Sequence, residues 1–312
     1  MNVVTDCFYA IRFTFYEIKG GVPLNIQWFP GHMKKTERMI EENLKFIDVV
    51  LELVDARIPV SGRNPDILRL CAGKKVLTLF NKADLADQNK NKLWQEKFGE
   101  DALFINAVSG TGMKEIAPRI REMMKEKTER DLARGIKERS VKLMIVGVPN
   151  VGKSSFINRF SKKAVTEVAD RPGVTRSKQW VRLTEGFELL DTPGVLWPKF
   201  SDEETARRLA YTGAIKDDVI DTEELCHYFL EFMRDHYPEN LASRYKIDNI
   251  SGLAGYEITE MIGRKRGFVI SGGEINTERA ANALVKGLKG TNDNREFLIK
   301  SAKKAQQTDY IS

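Results

Sequence analysis

Gly147-Val148-Pro149-Asn150-Val151-Gly152-Lys153-Ser154 is a full match to the pattern G-x-x-x-x-G-K-[ST]. Ahead of it runs Val141-Lys142-Leu143-Met144-Ile145-Val146, an apolar stretch suited to a buried parallel strand, and residues 155–160 read as the start of a helix. A loop set between strand and helix is the context in which this pattern cradles phosphates. Its glycines let the backbone approach closely, and successive N–H groups with the helix N-terminus hold the negative charge. Asn150, Val151, Gly152, Lys153, Ser154 and Ser155 are therefore expected to contact a nucleotide. Lys153 is placed to act on the β- and γ-phosphates, and the Ser154 hydroxyl to bind Mg2+.

A phosphate loop does not choose the base. Asn81-Lys82-Ala83-Asp84, at the end of the apolar run Val76-Leu77-Thr78-Leu79-Phe80, supplies that choice. In an N-K-x-D element the Asp84 carboxylate accepts from guanine N1–H and the exocyclic amine, while Asn81 and the Lys82 stem brace base and loop. Adenine lacks that donor pair and would leave the carboxylate unpaired, so GTP and GDP are the expected ligands. Asp191-Thr192-Pro193-Gly194 closes a strand over residues 187–190; Asp191 is expected to hold magnesium through water and the Gly194 N–H to sense the γ-phosphate. Between these elements Arg171-Pro172-Gly173-Val174-Thr175 offers Thr175 as the switch threonine and magnesium ligand, with Thr166 and Thr184 as competitors. Asn106-Ala107-Val108-Ser109-Gly110, after a strand over 102–105, would set the Ala107 N–H against guanine O6.

In ordinary GTPases the phosphate loop comes first and the N-K-x-D element late; here positions 81 and 106 precede 147, 175 and 191. Strands over 47–54, 76–80 and 102–105 still alternate with helices after Pro65, near Trp94 and after Met113. That pattern predicts an α/β fold: a doubly wound, mainly parallel sheet whose motifs are circularly permuted, over residues 25–201. From about residue 202 the alternation ends, and Leu225, Tyr228, Phe229, Phe232 and Met233 take helical spacing, as do Ile258, Met261 and Ile262. Residues 202–312 are thus expected to form a small all-α domain. Its basic clusters, Lys303-Lys304 among them, read as solvated faces, except that Arg264-Lys265-Arg266, followed by Gly267 at a helix end, could also clamp RNA phosphates.

The sequence resembles the YlqF-type circularly permuted GTPases, which assist assembly of the bacterial large ribosomal subunit. The resemblance is carried by Ile26-Gln27-Trp28-Phe29-Pro30-Gly31-His32-Met33, Val54-Asp55-Ala56-Arg57-Ile58-Pro59, the permuted elements, and Thr212-Gly213-Ala214-Ile215-Lys216. It implies a precursor of the large subunit and its rRNA as partners, the Arg264-Lys265-Arg266 domain as the RNA binder, and release on hydrolysis. Val195 stands where many GTPases carry a water-orienting glutamine, so either hydrolysis is intrinsically slow or another group orients the water. The resemblance points to His32 for that catalytic role; packing beside Trp28 is the other reading. For Asn150 a potassium-binding role, which the resemblance suggests, stands level with that of a plain turn residue. Two other functions compete: a non-catalytic, nucleotide-gated RNA-binding module, and a GTPase with a non-ribosomal protein or tRNA partner.

Composition fits this reading. With 42% hydrophobic and 30% charged residues over 312 positions, the chain can bury a core without disulfide or metal staples. Cys7, Cys71 and Cys226 lack C-x-x-C spacing and read as thiols of a reducing compartment, the cytoplasm. No apolar run reaches membrane-spanning length, and a net charge of +6 fits a polyanionic partner. Off the ribosome a monomer is expected. Residues 1–24 are either an added β-strand rich in Phe and Tyr or the product of a start placed upstream of the true one, since Lys19-Gly20-Gly21 is what a purine-rich ribosome-binding sequence would encode.

Overall fold

All seven residues of β1 (Val49–Asp55) are buried, which places this strand inside a sheet covered on both faces. The computed structural model describes residues 31–86, 88–137, 139–162, 180–183, 186–194, 196, 203–215 and 220–288. Thr175, Val195, residues 1–30 and the basic tail lie outside this set, as does the side chain of His32. Around β1 the described strands are β2 (Lys75–Asn81), β3 (Ala102–Phe104), β4 (Val141–Val146), β5 (Trp180–Leu183) and β6 (Phe187–Asp191). They form one sheet in the order β3-β2-β1-β4-β6-β5, parallel except for β5 at one edge. The sequence reading missed β5, a strand of only four residues without a clear alternation of burial.

The helices of this unit are α1 (Gly31–Leu44), α2 (Pro65–Leu70), α3 (Gln88–Phe98), α4 (Ile116–Ala133), α5 (Lys153–Lys162) and α6 (Glu203–Tyr211). Helix α2 starts where Asn64 Oδ1 accepts from the Asp66 and Ile67 amides, with Pro65 taking a position that needs no donor. Ile40 and Leu44 of α1 and Ile67 of α2 pack on Val50, Met144, Val146 and Leu190, closing one face over β1, β4 and β6.

The topology explains how the altered motif order is tolerated. Strands β1–β3 form one contiguous half of the sheet and β4–β6 the other, and the halves meet where Val49–Glu52 pair with Leu143–Val146. Permutation exchanges the order of two intact half-sheets and preserves their seam. The new covalent join is the segment between α4 and β4, and Asp48 pins it. Its carboxylate accepts from Lys127 Nζ at 2.7 Å, both Arg139 terminal nitrogens at 2.8 Å and the Lys142 amide at 2.9 Å. Burial would raise this carboxyl, but those donors outweigh it and hold it at about 2. Asp48→Asn should therefore lower stability by about 1–3 kcal/mol near neutral pH. The folded value lies below the unfolded 3.8, so the contribution is complete above that value and is lost as pH falls toward about 2. Urea midpoints of the two proteins should converge across that acid window; a constant gap would show that the carboxylate charge is not what pins the join.

The described chain divides into two compact units at 219/220, so α6 belongs to the first, whereas the end of the strand alternation sets the division at 201/202. The second unit is helical: α7 (Thr222–His236), α8 (Pro238–Tyr245), α9 (Gly255–Lys265) and α10 (Thr277–Leu288). Leu225, Phe229 and Met233 of α7 and Ile258 and Ile262 of α9 are buried, as the helical spacing predicts, whereas Tyr228, Phe232 and Met261 are half-buried; Leu230 of α7 and Ala280, Ala281 and Leu284 of α10 are buried beside them. Asp221 caps α7 by accepting from the Glu224 amide at 3.0 Å.

Candidate functional site

The carboxyl ends of β1, β2 and β4 lie side by side, and the loops that leave them carry the motif residues; this is where parallel α/β sheets place ligands. After β4, Gly147–Gly152 turns into α5, which begins at Lys153, two residues earlier than its apolar pattern suggests. Gly152 takes φ +101° beside Asn81, and a Cβ there would come within 2.4 Å of Asn81 Nδ2, so only glycine fits. Ser154 and Ser155 are exposed at the first turn of α5, their amides among those an α-helix leaves without an intrahelical acceptor.

Lys153 Nζ donates to the loop's own carbonyls, Gly147 O at 3.0 Å and Val148 O at 2.9 Å. Burial pushes its ammonium down to about 8, offset only in part by the charge of Asp191. Burial likewise raises the Asp191 carboxyl, against Lys153 and the Thr192 amide. The half-buried Lys153 and the exposed Asp191 lie within electrostatic reach of each other, and Thr192, beside Asp191, is fixed by its hydroxyl, which donates to Ile145 O at 2.5 Å. Gly194 lies against the same loop: a Cβ there would meet Pro149 Cα at 2.8 Å and Lys153 Nζ at 2.9 Å. A lysine, an exposed serine hydroxyl at a helix N-terminus and a nearby carboxylate form a donor set suited to a magnesium–polyphosphate group.

The loops after β2 and β3 reach the phosphate loop directly. Asn81 Nδ2 donates to Val151 O at 2.9 Å, and Asn81 Oδ1 accepts from the Ala107 amide at 2.9 Å. One buried side chain thus ties the N-K-x-D turn to both the phosphate loop and the third motif loop. The Ala107 N–H reaches a purine O6 only by sharing that bond. Asn106 Oδ1 accepts from the Val108 and Ser109 amides at 2.8 and 2.9 Å, which shapes the turn and leaves Val108 exposed. Ala83 and Asp84 follow in a single 3-10 turn and are half-buried. Lys82, in the left-handed region at φ 59°, crosses to Asn150 O at 2.9 Å.

Sequence reasoning missed two contacts. Asn150 Nδ2 donates to Gly213 O at 2.7 Å, joining the phosphate loop to the turn after α6. Asp55, quoted above only for a resemblance, is a buried partner of both Arg57 and Lys82. Its position as the charged last residue of a strand buried along its whole length was the available signal. In the second unit Arg264, Lys265 and Arg266 are all exposed at the end of α9, with the Arg266 guanidinium 5.2 Å above the Tyr245 ring.

Among the described residues no group of three or more His, Cys, Asp or Glu could hold a metal alone, and no helix is long and apolar enough to cross a membrane. Burial pushes the Cys71 and Cys226 thiols up to about 12, so neither is a thiolate near neutral pH.

Residues 142–241 match the family described as 50S ribosome-binding GTPase. Over 267 residues the chain is 47% identical to the ribosome biogenesis GTPase A of Bacillus licheniformis, covering 85% of this chain and 94% of that one. It is 37% identical over 222 residues to the mitochondrial ribosome-associated GTPase 1 of Mus musculus, covering 67% of each. Among solved structures it is similar to the GNP-bound YlqF of T. maritima, with a TM-score of 0.56 and 25% identity over 82% of this chain and 93% of that chain.

Proposed function

The chain belongs to the ribosome biogenesis GTPase A family, and from that premise we propose that it assembles the large ribosomal subunit by a GTP-timed visit to rRNA. It is a GTPase, with GTP and GDP as its ligands. The observation that supports the site assignment best is Asn81, whose amide joins the phosphate loop at Val151 and the third motif loop at Ala107. Asp84 then reads the guanine edge, Asn81, Lys82 and Ala83 frame the base, and Ala107 shares its N–H with O6. Asn150 to Ser155 surround the phosphates, and Gly194 sits where a γ-phosphate would be sensed. Ser154, Thr175 and, through water, Asp191 would hold magnesium, which would supply positive charge to the phosphates.

Lys153 leaves its own loop carbonyls for the β- and γ-oxygens, where its charge has most effect because the lysine is half-buried. Asn150 Oδ1 would hold a potassium ion, which would add positive charge at the phosphates. His32, just inside α1, orients the attacking water in place of a glutamine. Arg264, Lys265 and Arg266 are exposed together and meet rRNA phosphates. The protein acts in the cytoplasm.

Turnover of GTP with and without isolated large subunits, in potassium and in sodium, tests this scheme. Subunits should accelerate hydrolysis in potassium only, and His32→Ala should cut the stimulated rate by about a hundredfold while leaving GTP affinity intact. Absence of stimulation would overturn the ribosomal role. Equal rates in the two salts would remove the cation, and an unaffected His32→Ala would remove the histidine.

A further inference from the structure

A chain of alternating charge runs from the phosphate loop to the base-reading turn. It starts at Asn150 O, which accepts from Lys82 Nζ at 2.9 Å. The same ammonium lies 3.0 Å from Asp55 Oδ2. Asp55, with its side chain 3% exposed, accepts from Arg57 Nη2 at 2.7 Å, Arg57 Nε at 2.9 Å and the Arg57 amide at 3.1 Å. Burial alone would raise the Asp55 carboxyl, yet Arg57 and Lys82 hold it well below the usual carboxylate range. Arg57 in turn feels the charge of Asp84.

So buried an anion at the end of a central strand is costly unless cations complete it, and here it has two. Arg57, from the same turn, already satisfies it with a two-pronged contact. Lys82 is therefore not required to keep Asp55 charged. The pull runs the other way: Asp55 and Asn150 O fix the tip of Lys82 between two strands' loops. Lys82 also adopts a left-handed backbone conformation, uncommon for a residue with a Cβ. A lysine stem anchored at both ends loses its rotamer freedom before any ligand arrives and presents its methylenes as a fixed surface.

We propose that Asp55 is a positioning residue of the guanine site, holding Lys82 stretched between β1 and the phosphate loop so that the lysine stem forms a preset platform for the purine ring. The proposal rests on the assignment of the N-K-x-D turn as the base site. Arg57 completes the charge of Asp55 and keeps a positive group near Asp84.

The test is a cycle of GDP affinities, with melting temperatures, for the full-length protein and its Asp55→Asn, Lys82→Met and doubly substituted forms. Methionine keeps most of the stem and removes the anchor. Each single change should weaken GDP by about ten- to thirtyfold, and the double should be no weaker than the weaker single, because both remove one interaction. Losses that multiply in the double would mean that Asp55 acts otherwise than through Lys82, and would overturn the proposal. Should Asp55→Asn fail to fold, Lys82→Met and Lys82→Ala decide. If anchoring matters, methionine loses most of what alanine loses; if methionine binds like the wild type, the stem alone suffices and the proposal fails. GDP-over-ADP preference of the unaltered protein is measured alongside. Loss of that preference would sink the base-site assignment, whereas an intact preference with an unaffected Lys82→Met sinks only the role of Asp55.

Discussion

Asp84→Asn should lower GDP affinity by about a thousandfold or more and allow xanthine nucleotides to bind in its place. A carboxylate offers two acceptors to guanine N1–H and the exocyclic amine. An asparagine amide offers one acceptor and one donor, so its N–H meets the guanine amine donor to donor. Two charge-assisted bonds are lost and a half-buried polar group is left badly matched. Xanthine carries an oxygen where guanine has the amine, and the amide fits that pattern. Inosine diphosphate, which lacks the amine, should bind the unaltered protein about tenfold or more weaker than GDP. Calorimetry with GDP, IDP and XDP reads all three ratios. Undiminished GDP binding by Asp84→Asn would move the base site elsewhere.

Lys153 makes nucleotide affinity depend on pH in a range where few other groups titrate. Its ammonium sits at about 8 in the free protein because burial disfavours the charge. Phosphates favour the charged form, so binding GTP raises that value and takes up a proton once the solution is more alkaline than about 8. Below that value affinity should be nearly flat; above it, affinity should fall by up to about tenfold per pH unit until the bound form also titrates. Lys153→Ala should weaken GTP by about a hundredfold and abolish the slope just above that value, below the range where guanine N1–H itself ionises, since no protein amine then titrates at the phosphates. Binding enthalpies in buffers of different ionisation heat count the protons directly. A slope that survives Lys153→Ala would assign it to another group.

Much of this arrangement was legible in the residues because each legible part has a local cause. The strands β1, β2 and β4 are short apolar runs bounded by turn residues, and the helices of the second unit show an unbroken apolar spacing. The phosphate loop and the N-K-x-D turn announce themselves because the backbone geometry they need admits so few residue types. Gly152 at φ +101° against Asn81 illustrates the point. What stayed hidden depends on distance along the chain. Asn150 meets Gly213, and Lys82 meets Asp55 and Asn150, through contacts that no periodicity encodes. Strand β5 escaped because an exposed edge of four residues has little apolar patterning to read. The clamp at Asp48 joins it to Lys127 and Arg139, both far from it in the chain and ordinary in isolation.

Exchange of the two half-sheets also changes what happens while the polypeptide is being made. Translation delivers β1, β2 and β3 before any of β4, so the first half leaves the exit tunnel with the β1 flank unpaired and no triphosphate grip beside it. Only when β6 and Gly194 have emerged are both halves of the pocket available. Cellular GTP is thus a ligand that can rescue or hasten maturation of this nascent protein only near the close of that domain's synthesis, however early its guanine-selecting turn is born.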